Sequence, residues 1–414
     1  MPNNRITYAT AQLALKDNAL PSGSDVMGFY SGTLVSGTLA PAATTIILNA
    51  TNFSGHWPAT GTLIIEGSGS NVKEYATYSS GILGDTISGV VRGAFGTTDA
   101  IHASGAKIEI AGWQVPLGVQ SVSITTNFSL EDVFTLGQLD AYENVEGTPE
   151  IEVTIEKVLD GTKPLWLLVT DADFTTLKGS TAAWEADVAV SIYPDTQSSA
   201  SGIADSTVTC SGMVLSSYAI SMTTDGNFTE TVTLQGDDKT WTATEGVPDA
   251  VFSTSNAYDA AIIGSGVSRA EDFNVGASTL PADIIIADDS IQSIDISVDV
   301  AREDIFKLGQ KASFFKSVTF PITVETTFEI VTSEGDKIEA VSTANNLTNR
   351  SIILVTDGGL TIDLGTANKV SSVDFGGYDA TGGNGLLTIT YQNSNSLNIS
   401  HENFDAATPN RVQN

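Results

Sequence analysis

The chain has 414 residues, with 18 Lys and Arg against 49 Asp and Glu and a net charge of −31 at pH 7. Such a balance excludes nucleic-acid binding through basic patches, because phosphate contacts need Lys and Arg. A hydrophobic content of 41% excludes wholesale disorder. The lone cysteine, Cys210, excludes an intrachain disulfide and a cysteine-ligated zinc site.

No apolar run approaches the ~20 residues that cross a bilayer. Residues 1–18 lack the apolar stretch of a secretory signal, so the chain is expected to be made and kept in a cytoplasm. The length calls for two or three domains. Gly, Ser and Thr are abundant, Val/Ile/Thr runs alternate with polar residues, and charged helical stretches are almost absent. The fold class expected is all-β.

In chain order, Arg5–Lys16 is one apolar segment, followed by a turn at Pro21-Ser22-Gly23. Residues 31–112 have a different texture: short strands such as TTIILNA, GTLIIEG, KEYATYSS and KIEIAG, closely spaced with turn signals between. This reads as a small β-domain inserted into the first unit. Arg92-Gly93 and Gly96-Thr97 are expected to form the turn and cap of its last strands. Its role is read as a spacer, with outward decoration as the alternative.

A duplicated unit then begins. Gln120–Pro149 and Gln292–Pro321 align without a gap and share ten of thirty residues. In each copy an alternating strand (Val122 and Ile124; Ile294, Ile296, Val298 and Val300) leads into a loop carrying E-D-[VI]-F-x-L-G-Q. A second strand returns after Pro149 and after Pro321. One extra residue in the second copy brings Glu152 and Glu156 into phase with Glu325 and Glu329. The repeat continues: residues 214–217 match 369–372, and 231–234 match 388–391, each pair flanking a turn as a second hairpin. Short helices are expected near 175–184 and 344. Residues from Ala250 echo the segment at Arg5. The domains expected are 1–30 with 113–246, the insertion 31–112, and 247–414.

A long loop inside a β-hairpin is unusual in a compact domain and points to function or an interface. These loops carry Phe134, Leu136, Gln138 and Tyr142, repeated as Phe306, Leu308, Gln310 and Phe314. Such side chains either fold back on their own core or dock into another subunit; the second reading is preferred. The polar faces of the long strands carry Glu152 and Glu156, then Asp295, Asp299, Glu325 and Glu329.

Chemistry is sparse. His56, His102 and His401 have no metal-ligand spacing and read as loop or surface residues. No nucleophile elbow, P-loop or dinucleotide fingerprint occurs. Gly67–Ser70 and Gly382–Gly385 read as turns. The pairs Asp171/Asp173 and Asp288/Asp289 fall short of a calcium-loop series. No catalytic residue, metal or cofactor is assigned, and the chain is read as not an enzyme.

The order RITYATAQLA, VQSVSI, E-x-V-F-x-L-G-Q-x-x-x-Y and PEIEVTIEKV-x-DG resembles the tail tube proteins of long-tailed bacteriophages, most clearly over Val119–Gly161. The resemblance implies a β-sandwich with one long hairpin, six such domains closing into a ring barrel, and rings stacking through the loop. Two domains in one chain then imply a homotrimeric, pseudo-hexameric ring. The implied role is a virion tail conduit for genome ejection, assembled in the host bacterial cytoplasm. Implied partners are further copies and other tail proteins such as terminator, tape measure or baseplate; no membrane is implied. The six carboxylates would face the lumen, where viral DNA passes without specific binding; the alternative is that they solvate an outer sheet face. The Val90–Ile110 run resembles a β-module of phage structural proteins. Alternatives in other classes are a glycan-binding or adhesive tandem β-protein and a specialised neck or baseplate ring.

Overall fold

The computed structural model of the chain describes residues 11–17, 31–33, 38–48, 61–66, 73–83, 86–94, 99–104, 106–111, 116, 118–137, 139–160, 164–170, 185–192, 205–243, 267–284, 289–332, 335–336, 338–343, 347–377 and 385–401. Strand dominates, with 60% of it in strands and 3% in helix. β1 (Ala11–Asp17) comes first. A small module follows, made of β2 (Ser31–Thr33), β3 (Thr45–Ile47), β4 (Gly61–Glu66), β5 (Lys73–Tyr78), β6 (Ser80–Leu83), β7 (Thr86–Ser88), β8 (Val91–Ala94) and β9 (Lys107–Ala111). Its sheets run β2-β9-β4-β5-β8 and β3-β7-β6. They enclose a hydrophobic cluster of their own around Ile46, Leu63, Ile65, Tyr78, Ile87 and Ile108.

Next come β10 (Val119–Asn127), β11 (Leu130–Phe134), β12 (Ala141–Glu146) and β13 (Glu150–Val158). The single described α-helix, α1 (Leu165–Val169), precedes β14 (Ala186–Ile192), β15 (Ser206–Thr223), β16 (Thr229–Gly236) and β17 (Asp238–Ala243). A 3₁₀ turn at Ala270–Asp272 leads to β18 (Asp289–Asp299), β19 (Arg302–Ile305), β20 (Phe315–Val318) and β21 (Thr323–Thr332). The chain closes with β22 (Ile353–Val355), β23 (Leu360–Asp363), β24 (Lys369–Gly376), β25 (Leu386–Ser394) and β26 (Asn398–His401).

One long sheet organises the molecule, in the order β10-β13-β16-β15-β18-β21-β25-β24. Its first four strands and its last four are built alike. Glu156 lies opposite Ser121 and Thr231, and Glu329 lies opposite Ser293 and Thr388. Both halves carry an irregularity at the start of the first strand, between Val119 and Ser121 and between Ile291 and Ser293. Both carry a second one, between Leu215 and Ser217 and between Val370 and Ser372. Bulges re-aim a strand at a defined place, so their repetition marks equivalent positions.

The covering layer repeats too. β14 and β17 flank the first part of β15, as β22 and β26 flank β23. β1 pairs with β14. In the second half, bridges Phe273↔Thr356 and Thr279↔Ile353 occupy the corresponding place. The counterpart of β1 therefore falls at 273–279, downstream of the echo at Ala250, which lies outside the described residues.

Alternation fixes which way each strand faces. Ile151, Val153 and Ile155, then Val232 and Leu234, then Ile294, Ile296 and Val298, then Val324, Phe328 and Ile330, all point into one continuous hydrophobic cluster. Burying each such side chain stabilises by roughly 1.5–3 kcal/mol. The two halves thus share one sheet and one core. The sheet stays open within the chain: among the described residues, β10 pairs only with β13, and β24 only with β25. β15 crosses from one layer to the other at Gly212, whose φ of +63° lies in the left-handed region that favours glycine.

Both segments expected to be helical lie outside or partly outside the described residues (171–184 and 344–346), whereas α1 was not anticipated. Its Leu165-Trp166-Leu167-Leu168-Val169 run is apolar throughout, with Leu165, Trp166, Leu168 and Val169 buried, so it has no amphipathic period to detect. Among the described residues no helix is long and apolar enough to cross a membrane.

Candidate functional site: a carboxylate face, two arms and two edges

The outward face of the long sheet is polar from edge to edge. Strand by strand it presents Ser121, Ser123, Thr125 and Asn127; Glu150, Glu152, Thr154 and Glu156; Thr229, Thr231, Thr233 and Gln235; and Ser217, Ala219, Ser221 and Thr223. It continues with Ser293, Asp295, Ser297 and Asp299; Thr323, Glu325, Thr327 and Glu329; Thr388, Thr390, Gln392 and Ser394; and Lys369, Ser372 and Asp374. All six predicted carboxylates, Glu152, Glu156, Asp295, Asp299, Glu325 and Glu329, fall on this one face, joined by Glu150 and Asp374, and among the described strand residues of the face Lys369 is the one cation. Glu152, Asp295, Asp299 and Glu325 are exposed, and Glu156 and Glu329 are half-buried.

Hydroxyls and an amide dress these carboxylates. Ser121 Oγ donates to Glu156 at 3.1 Å, Ser221 Oγ to Asp295 at 2.6 Å, and Gln235 Nε2 to Glu150 at 2.8 Å. With so little positive charge nearby, the face keeps its negative potential.

Two hairpin arms leave the same end of the sheet. β11–β12 follows β10, and β19–β20 follows β18. Their registers are equivalent: Leu130↔Glu146 and Val133↔Glu143 in the first, Arg302↔Val318 and Ile305↔Phe315 in the second. The tips turn at Gly137 (φ +89°) and Gly309 (φ +92°), with nothing within 4 Å of an added Cβ; here glycine answers to backbone conformation and not to crowding.

The arms do not fold back on a core. Phe134, Leu136, Tyr142, Phe306, Leu308 and Phe314 are all exposed, with Leu136 and Leu308 wholly so. Gln310 is exposed on the second tip, and Gln138 lies outside the described residues. Lys307 Nζ sits 5.3 Å from the ring centre of Phe314.

The second arm is anchored on the first half. Arg302 Nε donates to the Leu215 carbonyl at 2.7 Å, and burial draws its pKa down to about 10 against the pull of Glu185. Lys316 Nζ reaches Asp304 at 2.7 Å and Asp237 at 2.8 Å. Burial, which would lower the Lys316 pKa, is outweighed by these partners, so it is raised. Thr148 Oγ1 donates to the Lys311 carbonyl at 2.6 Å.

At the junction of the halves, β15 pairs with β18 through Ser217↔Asp299, Ala219↔Ser297, Ser221↔Asp295 and Thr223↔Ser293. Val300 N donates to the Ser216 carbonyl at 2.8 Å, and Val300 is 1% exposed. Its counterpart on the outer edge strand, Phe128, is 73% exposed. Val122 and Ile124 on β10, and Val373 and Phe375 on β24, are likewise more exposed than Ile294, Ile296, Tyr218 and Ile220 at the junction.

Two sequence readings are corrected. His102 is not a surface residue: it is buried, with Nε2 2.9 Å from Glu74 Oε2. Arg92 does not merely cap a turn. Its guanidinium forks onto buried Glu74, which also accepts from the Gly93 and Ala100 amides. Burial would raise the Glu74 pKa, but Arg92, Ala100, His102 and Gly93 outweigh it and hold it at about 2. No period announces a buried ionic cluster inside a Gly-rich module, so it was not legible. His401 lies on β26, and His56, Gly67–Ser70, Gly382–Asn384, Asp171 and Asp173 lie outside the described residues.

Cys210 is buried, and desolvation lifts its pKa to about 11, so the thiolate is disfavoured. Among the described residues no group of three or more His, Cys, Asp or Glu is placed to hold a metal ion. No protein-family model matches the chain, and no curated protein matches it.

Proposed function

We propose that the chain is a structural protein of a phage tail tube, in which three copies close head to tail into a pseudo-hexameric ring and rings stack into a conduit for genome ejection. The observation that carries this reading is the likeness between the internal junction and the two open edges. β24 is built like β15, and β10 like β18. A second copy can therefore repeat outside the chain the pairing that β15 and β18 make inside it. The repeated register places Ser372 opposite Asn127, Asp374 opposite Thr125 and Gly376 opposite Ser123. Phe128 N then donates to the Ser371 carbonyl and its side chain is covered. Closure removes two sheet edges that would otherwise invite uncontrolled pairing, and a heterologous contact that closes gives a ring. The threefold count comes from the resemblance to tail tube proteins.

In such a ring the apolar side of each sheet is already covered by β1, β14, β22, β23 and β26. The carboxylate face is left to line the lumen, where like charge denies passing DNA a resting place. The small module, present in the first half alone, would appear three times per ring. A terminal neck or baseplate ring would use the same geometry. The glycan-binding alternative is less well supported, since the described polar face offers no aromatic platform for a sugar.

Electron microscopy of the purified chain with mass measurement tests the reading. Rings of three copies, or tubes with a central channel, are expected. Monodisperse monomers at high concentration would contradict it.

A further inference from the structure

The end of the sheet opposite the arms holds a cavity of about 260 Å³ where the paired ends of β15 and β18 meet Phe228 and the Ala270–Val275 segment. Its walls include Met222, Phe228, Phe273, Val275, Ile291 and Ile294. A cavity of about 150 Å³ already accepts a benzene-sized group, so this one has room for a leucine or phenylalanine side chain. Met222, Phe228 and Ile294 are buried while Val275 is exposed at the mouth, so the site is an apolar socket open to one side.

We propose that this socket receives the tip of the second arm, centred on Leu308, from another copy of the chain. The inference rests on the stacked-ring reading and names where and with which arm the rings engage. Three observations select this occupant. Arms and socket lie at opposite ends of β18: the arm departs after Asp299, and the socket is formed around Ile291–Ile294. Complementary patches on opposite ends generate an open-ended stack, which a self-complementary patch would not. Next, Leu308 and Phe306 are exposed on the tip with no core of their own. An exposed apolar anchor and an apolar socket large enough to take it are what a packed interface contains.

Charge then separates the two arms. The second tip reads Phe306-Lys307-Leu308-Gly309-Gln310-Lys311, with two cations and no acid; the first continues through Leu139 to Asp140, with no cation. Next in the chain to the lining residues Thr224 and Ala270 come Asp225 and the pair Glu271 and Asp272, while Arg269 is turned onto the Asn227 side chain at 2.9 Å. The acidic rim favours the second arm and repels the first.

The test uses the full chain with paired cysteines and mild oxidation. Leu308→Cys with Val275→Cys should give a ladder of covalently linked chains in stacked material and none in isolated rings. Leu136→Cys with Val275→Cys should give little linkage. Both positions are exposed, so folding is preserved, and the buried native Cys210 stays silent. Lys307→Glu should raise the concentration needed for stacking severalfold, and adding Glu271→Lys should restore it. Stacks that form without the 308–275 linkage, or that link through 136 instead, overturn the socket assignment and leave the ring reading standing. Chains that never form rings or stacks overturn both.

Discussion

The two halves of the long sheet share a register and differ in what they bury at one matched position. In the first half Lys157 lies opposite Glu230, and both are wholly buried. In the second half the same place holds Ile330 opposite Leu387. Lys157 Nζ is 3.0 Å from Asp160 Oδ1 and 3.6 Å from Glu230 Oε1. Glu230 also accepts from Leu165 N at 2.8 Å and Tyr218 Oη at 3.0 Å. Burial pushes the Glu230 pKa up against the pull of Lys157. One backbone therefore tolerates either an ion pair with its hydrogen bonds or two aliphatic side chains. The ionic version ties α1 to the sheet, since Leu165 N is among its donors. The difference teaches that the repeat conserves pairing geometry and not core chemistry.

Breaking this difference should produce the largest effect. Glu230→Leu alone leaves the buried Lys157 ammonium with Asp160 as its remaining carboxylate and takes the acceptor from Leu165 N and Tyr218 Oη; it should cost about 3–5 kcal/mol in chemical denaturation. Adding Lys157→Ile, which copies the second half at this pair, should recover part of that loss, since Leu165 N and Tyr218 Oη still lack the Glu230 acceptor. A double variant as unstable as the single would mean that the ionic cluster holds α1 in a way that apolar packing cannot replace.

The next comparison sets the junction against the free edge. Val300→Ser should destabilise the fold by about 2–3 kcal/mol, because it removes buried apolar surface and buries a hydroxyl. Phe128→Ser should leave monomer stability within about 0.5 kcal/mol, while weakening assembly by about 2 kcal/mol or more in sedimentation. Equal effects of both changes on folding would deny that Phe128 awaits a partner.

The module carried only by the first half should respond to acid. The Glu74 pKa lies below its ordinary value of 4.5, at about 2. Its contribution is therefore complete above pH 4.5 and is lost as pH falls towards about 2. Protection of the described amides of residues 61–111 against hydrogen exchange, relative to their intrinsic rates, should fall across that window, and Glu74→Gln should flatten the response.

The smallest effect on stability is expected from the carboxylate face. Replacing Glu152, Glu156, Asp295, Asp299, Glu325 and Glu329 by amides should change folding little, since four are exposed, two are half-buried on a hydroxyl-rich face, and amides keep their size and hydrogen bonding. It should, however, allow assembled protein to retain DNA at low salt. Unchanged DNA behaviour would favour an outer, solvating face.

Much of this was legible because strands alternate strictly. Glu152 and Asp295 could be assigned to a polar face because their neighbours Val153 and Ile296 had to face a core, and the single-residue phase shift after Pro321 kept the two copies comparable. The arms were legible from Phe134 and Phe306, which are too large and apolar for solvated turns. What escaped detection depends on contacts distant in sequence. Glu74 meets Arg92 only once β5 and β8 have paired. Lys157 and Glu230 resemble ordinary surface charges until their register is known. The fusion of both halves into one sheet and one core was also hidden, because strand order across the β15–β18 junction leaves no periodic trace.

The central claim is that the outer edges repeat the inner junction, and a cryo-electron microscopy reconstruction of the assembled protein addresses it most directly. The account predicts β24 of one copy antiparallel to β10 of the next, Asn127 opposite Ser372, Phe128 buried and the carboxylate face turned to the channel. Rings in which these edges stay unpaired, or whose carboxylates face outward, would contradict it.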